Sequence, residues 1–248
     1  MPGLDSLEER TFMNALSVQQ PFAYEILVGL KTIELRSWDT LHRGDLLICS
    51  SGKPAFSQED MEEIEDEYGC TFLYGHALCV VRVADVRLAQ QGDEEGALVD
   101  QIDPEEYSWV LEDVRPVIPF PVKGKQGLFD VGDDLISLSP FRYDDAVVVK
   151  AGALDEELGV DFSGWQGRTG DIVIVDEGEP RITVFWDSIS LKAIPTPILD
   201  RCEKEGIEWT GALLRFDEIE HAQPRDTWDD VQSAIESIIE ANPALFEE

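Results

Sequence analysis

Apolar and polar positions change period several times along the first half of the chain. Leu16-Ser17-Val18 is a short apolar run and predicts a strand. Phe22, Ile26 and Leu30 then recur at helical spacing, with Pro21 suited to a first turn and Gly29 as the stop. Residues 32–38 alternate polar and apolar at period two, as a half-buried strand does, and residues 46–49 read as a third strand after the turn at Gly44. Ser57 is a fitting N-cap for a helix whose first turn holds Glu59 and Asp60. Met61, Ile64 and Tyr68 form its apolar side and Gly69 its end. Residues 75–89 form one long β-type run, 90–103 read as a Gly- and acid-rich loop, and 107–115 with 116–131 complete the first set of strands. The segment 130–139 reads as a linker.

The second half repeats the strand pattern with shorter runs. Residues 143–150 predict a strand, 155–161 an acidic loop, 164–170 a turn, and 171–175 with 182–186 a hairpin across residues 176–180. A short helix over 197–206 ends at Gly206, a last strand covers 213–216, and Val231, Ile235, Ile238 and Ile239 mark an amphipathic closing helix over 227–241. The pattern predicts a mainly β protein with peripheral helices, divided into domains 11–138 and 139–248. The short strands and Gly-rich turns of the second half read as a small SH3-like barrel.

Charge changes the picture. The 248 residues carry 52 acids against 19 Lys and Arg, a net charge of −33. Most of such a surface repels phosphate, which argues against general nucleic-acid coating. Cation binding, mimicry of an anionic polymer, or adaptation to salt remain open. Both halves share the acidity, at −17 for residues 1–138 and −16 for 139–248. Two segments depart from it. Residues 31–53 hold Lys31, Arg36, Arg43 and Lys53 and are net +1. Residues 114–128 contain no acid but include Arg115, Lys123 and Lys125. Together these two segments predict a basic cleft for an anionic ligand, lined by Lys31, Glu34, Arg36, Arg43, Lys53, Lys123 and Lys125. The alternative is that the cations pair with neighbouring acids.

Cys49, Cys70, Cys79 and Cys202 form no C-x-x-C pair, so buried free thiols and a reducing cytoplasm are expected. Residues 1–10 read as a polar leader, and no apolar run reaches the length of a membrane span. No EF-hand loop, phosphate loop or G-x-S-x-G is present, and the three histidines show no metal spacing. Calcium prefers clustered oxygens. The densest loop carboxylates are Asp176, Glu177 and Glu179, followed by Asp155, Glu156 and Asp161.

Gln20-Pro21-Phe22-Ala23, Gly29, Lys31, Glu34, Arg36, Trp38, Arg43 and Gly44, with a closing segment from Trp109 to Phe129, resemble the ASCH domain. The resemblance covers residues 11–138. It implies a PUA-like β-barrel and binding of RNA or a nucleotide-like ligand. Some small members are amidohydrolases on modified cytidine, with Lys and Thr in the strand matching residues 31–36. Here Glu34 stands at the Thr position, so that alternative rests on Lys31 and Glu34. In the second half, Tyr143-Asp144-Asp145, Gly164-Trp165-Gln166-Gly167-Arg168, Trp186-Asp187-Ser188, Glu205 to Trp209 and Pro224 to Thr227 resemble the cyanobacterial calcium-binding protein family CcbP. That resemblance implies Ca²⁺ bound by an acidic SH3-like barrel. Asp187 is open to a different role, bonding backbone.

Overall fold

The computed structural model describes residues 11–155, 158–175 and 178–246. The chain divides between Ser139 and Pro140 into two compact units.

The first unit is built on a six-stranded sheet. Its strands are β1 (Phe12–Val18), β2 (Ile33–Arg36), β3 (Gly44–Ser50), β4 (His76–Leu88), β5 (Tyr107–Pro121) and β6 (Leu128–Gly132). Their spatial order is β2-β5-β4-β3-β1-β6, with β1 parallel to β3 and the other pairs antiparallel. Both faces of β3 are buried. Leu46 and Ile48 join a core with Leu16, Val18, Ile26 and Trp109, while Leu47 and Cys49 join another with Ala15, Val80, Val117 and Phe129. Period two thus divides one strand between two cores, and its sequence reads as continuously apolar. The sheet is curled: Arg36 Nη2 of β2 donates to the Ser17 carbonyl of β1, 2.8 Å away, although three strands lie between them.

Helix α1 (Phe22–Leu27) packs on β3, β4 and β5. Helix α2 (Gln58–Tyr68) has the anticipated Ser57 cap, which forms a capping box with Asp60, and Gly69 ends it in the left-handed region at φ 63°. A short helix, α3 (Glu94–Ala97), interrupts the segment read as loop. Residues 130–139 are not a free linker. Phe129 and Val131 of β6 are buried around Asp130, Ile118 N donates to the Ser137 carbonyl, and Leu138 bridges to Val117. The acids there sit on the solvent side of an ordered strand and turn, which made the segment look like linker.

The second unit holds β7 (Ala146–Val149), the two-residue pair β8 (Leu154–Asp155) and β9 (Val160–Asp161), β10 (Gln166–Ile174), β11 (Pro180–Trp186), β12 (Gly211–Leu214) and β13 (Ile219–His221). Five of these strands form an antiparallel sheet in the order β12-β11-β10-β7-β13. Its edge strands β12 and β13 share no ladder among the described residues. Helices α4 (Ser188–Lys192), α5 (Thr196–Glu205), α6 (Trp228–Ala241) and α7 (Pro243–Phe246) complete the unit. Val147, Val149, Ile182, Val184, Trp186, Leu199 and Val231 form its core. No described helix is long and apolar enough to cross a membrane.

Candidate functional site

Parallel pairing of β1 and β3 brings both their C-terminal ends to the same end of the first unit. Ser51 N donates to Val18 O at 2.7 Å, Gly75 N to Ser50 O at 3.2 Å, and Val122 N to Gly75 O at 2.8 Å. Residues 17–20, 50–54, 74–76 and 121–127 therefore converge. Lys53, Lys123 and Lys125 are exposed on these segments and form no ion pair with described residues. The Lys125 ammonium lies 6.0 Å from the centre of the Phe129 ring. Gly124 sits directly on Ser17: a Cβ there would stand 2.3 Å from Ser17 Oγ.

Beneath this rim lies a buried charge cluster. Lys31 and Glu34 are only 4% and 7% exposed. Glu34 is shared, with Oε2 3.8 Å from Lys31 Nζ and Oε1 3.0 Å from Arg36 Nη2. Lys31 Nζ also donates to the Ala97 carbonyl of α3 and lies over the Phe22 ring. A second carboxylate, Glu25 of α1, accepts from Tyr68 Oη at 3.2 Å. Burial pushes the Lys31 ammonium down and the Glu34 carboxyl up, against the opposing pull of their partners. Burial also raises Glu25; Tyr68 and Lys31 oppose it and Glu34 adds to it. Across the ladder from Glu34, Trp109 is fully buried and meets Trp38 edge-on at 4.8 Å. Trp38 is half-buried and packs against this core.

Four buried polar atoms around this cluster find no hydrogen-bond partner among the described residues: Ser17 Oγ, Glu25 Oε2, Arg36 Nε and Trp109 Nε1. Buried polar groups are normally satisfied by protein or by ordered water. Two of the four are obligate donors and call for acceptor atoms.

The structure does not gather all seven residues of the anticipated cleft. Lys31, Glu34 and Arg36 form the buried cluster, and Lys53, Lys123 and Lys125 the rim. Arg43 lies at the opposite end of β3, where its guanidinium holds Asp85 at 3.0 Å and the Val86 carbonyl at 2.9 Å. Arg115 likewise is spent on Asp45 and Asp113. Sequence reasoning missed Glu25, Ser17 and Tyr68. Glu25 alone carried a signal, as an acid at a helix position adjoining the buried face.

The second-unit carboxylates are separated. Leu154 pairs with Asp161 and Asp155 with Val160, so Asp155 and Asp161 project to opposite faces of their ladder. Asp155 Oδ1 accepts from Leu158 N, Asp161 Oδ1 from Ser163 N and Oγ, and Glu179 pairs with Arg181 at 2.8 Å. Glu156, Asp176 and Glu177 lie outside the described residues. No group of three metal-ligating side chains occurs among the described residues. Asp187 caps α4 through Ser190 N at 2.8 Å and receives Arg225 Nε at 2.7 Å. The neighbouring Asp226 accepts from Ser188 N at 2.6 Å, and its carbonyl accepts from Arg168. The Trp-Asp-Ser, Pro-Arg-Asp-Thr and Gly-Trp-Gln-Gly-Arg motifs therefore meet in one structural latch.

Residues 16–121 match the family model described as ASCH domain. The mouse and human proteins named Activating signal cointegrator 1 are each 29% identical over 123 residues, covering 44% of this chain. That stretch is 20% of their own length, so the chain matches about a fifth of either relative. The crystal structure of ASCH from Zymomonas mobilis is similar at 13% identity with a TM-score of 0.37, covering 50% of this chain and 96% of that one. Two point variants of that protein give 0.34.

Proposed function

With an ASCH domain in the N-terminal half as premise, we propose that the first unit binds a short single-stranded RNA or a nucleotide-like ligand at the end of the sheet where Ser17, Lys53 and Lys123 meet. The observation that carries this reading is the rim of three exposed lysines that pair with no described acid, on segments that converge at one end of the sheet. The exposed rim lysines suit a phosphate backbone. A positive patch within a strongly negative surface admits a small or flexible anion and disfavours a long duplex.

The test is fluorescence anisotropy of the full-length protein with short RNA across a salt series. Lys123→Ala with Lys125→Ala weakens binding and lowers the salt slope by about 0.7 for each phosphate no longer neutralised. Glu34→Gln retains binding, because Glu34 neutralises Arg36 rather than contacting phosphate. No affinity for any short RNA or nucleotide at low salt would refute the proposal.

The amidohydrolase alternative needs the Lys31 amine to face a substrate. That amine is instead buried, bonded to the Ala97 carbonyl and packed over Phe22. Turnover of acylated cytidine that is abolished by Lys31→Met in a folded variant would reverse this preference for binding.

A further inference from the structure

Phe56 follows Lys53 on the same segment of the rim. It immediately precedes Ser57, the N-cap of α2, at the position from which a hydrophobic staple would reach Met61. Met61 is buried in a cluster with Tyr24 and Phe72 that does not include Phe56. Phe56 is left 46% exposed. Its ring meets half-buried Phe22 of α1 edge-on, with centroids 5.8 Å apart and planes inclined by 68°. A T-shaped contact of this kind covers at most one face of either ring. The segment that carries Phe56 is fixed. Ala55 N donates to the Gln20 carbonyl and Gln19 Nε2 to the Pro54 carbonyl, each at 2.9 Å, and Lys53 N donates to Ser51 Oγ at 3.2 Å. The capping box of Ser57 with Asp60 holds the other side. A ligand would therefore not have to order this segment on binding.

The charges around the ring decide what suits it. Residues 50–58 and 121–127 contain no acid, in a chain with 52. Both segments rest on the end of β1 and the residues after it. The first does so through Gln19 and Gln20, and the second through Gly124 against Ser17. One segment presents Phe56 with Lys53, and the other presents Lys123 and Lys125. These three lysines are exposed and form no ion pair with described residues.

A single exposed apolar side chain is ordinary on a protein surface. One held in an acid-free strip beside three unpaired lysines matches a ligand that is anionic and also carries a flat apolar part. A plain polyanion would leave the ring unused, and an apolar ligand would leave the lysines unused. A duplex keeps its bases stacked on one another, whereas a single strand offers them to an aromatic side chain. We propose that Phe56 is the platform on which an unpaired base stacks, with Lys53, Lys123 and Lys125 taking the flanking phosphates. The ligand class is then a single strand bearing nucleobases rather than a polyanion in general. This assignment rests on the reading of the first unit as a binder of single-stranded RNA or a nucleotide-like ligand.

The experiment compares hexaadenylate with an abasic ribose-phosphate oligomer of equal length on the full-length protein, by anisotropy across a salt series. The two probes carry the same phosphates and differ only in bases. Hexaadenylate should bind about tenfold or more tightly than the abasic oligomer. Phe56→Leu, at an exposed position, should weaken hexaadenylate about tenfold, with its salt slope and the abasic affinity unchanged. Phe56→Tyr, which keeps a ring, should retain the wild-type affinity. A 2-aminopurine placed in the hexamer should lose fluorescence on binding wild type and keep it on binding Phe56→Leu. Equal binding of the two probes by wild type, or hexaadenylate binding that Phe56→Leu leaves intact, would overturn the stacking assignment and leave the RNA site standing. A ring that serves a protein partner would give that second result. Absence of binding by either probe at low salt would overturn both readings.

Discussion

Asp93 shows how much a single side chain can hold. Arg87 grips its two carboxylate oxygens at 2.6 Å each, Ser108 Oγ donates at 2.7 Å and Gln90 N at 3.1 Å. Arg87 above all, then Ser108 and the Gln90 N–H, hold the carboxyl well below its ordinary value of 3.8, while burial opposes them. The folded state therefore favours the ionised form. That stabilisation is complete above the unfolded value and is lost as pH falls through it toward the folded one. Asp93→Asn should cost about 3 kcal/mol at neutral pH, because it leaves a partly buried guanidinium unmatched. Urea unfolding checks this. The gap between wild type and variant should close as the pH drops below about 3, and a constant gap would show that charge is not its cause. Glu34 has the opposite sign. Burial raises it despite Arg36 and Lys31, so its ionisation weakens the fold as pH climbs from the unfolded value through the folded one. Removing one partner from such a buried set costs more than the set contributes, so Lys31→Ala should destabilise by about 3 kcal/mol.

At the level of elements, much was legible. Ser57 and Asp60 cap α2, and Thr227 and Asp230 cap α6, as local sequence dictates. β4 begins and ends within a residue of its apolar run. What escaped was long-range. Nothing near Arg36 signals that its guanidinium meets Ser17 across the curl of the sheet. Nothing near Arg43 signals that Asp85 claims it. The facing of Asp155 and Asp161 depends on a two-residue register that composition does not encode.

The seating of the 122–127 loop offers a test at this scale. Gly124→Ala places a methyl against Ser17 Oγ and should cost about 1–3 kcal/mol or displace Lys123 and Lys125, weakening RNA binding. Ser17→Ala in the same chain removes the offending oxygen and should restore most of the loss. Failure of that rescue would mean that the backbone itself resists. Calcium binding by the second unit rests on loop carboxylates and resemblance. If it holds, millimolar Ca²⁺ at fixed ionic strength raises the melting temperature of the full chain, and Asp161→Asn changes that little, since Asp161 is engaged by Ser163. An equal rise with Mg²⁺ would reduce the effect to counterion condensation.

For the whole molecule, the dominant quantity is a net charge of −33 distributed over both units. Surface carboxylates far outnumber cations and repel one another, and added salt screens that repulsion within a Debye length of about 8–10 Å. Monovalent salt should therefore raise the melting temperature while weakening RNA binding. The two responses have opposite signs because one relieves repulsion and the other releases counterions. Calorimetry and anisotropy in the same salt series would separate them. A melting temperature that falls with salt would show that the cross-sheet ion pairs outweigh the surface repulsion.

The ladder between β1 and β6 also bears on synthesis. Phe12 pairs with Gly132 and Leu16 with Leu128. On a ribosome, the first strand has to wait for nearly the whole unit to emerge before its outer edge is covered. Pairings between such distant residues slow folding, and an uncovered strand edge recruits other chains. A nascent chain halted at residue 121, where the family match stops, still lacks that cover. Fragment 11–121 should therefore be recovered largely in aggregates, and fragment 11–139 as a soluble, cooperatively melting protein.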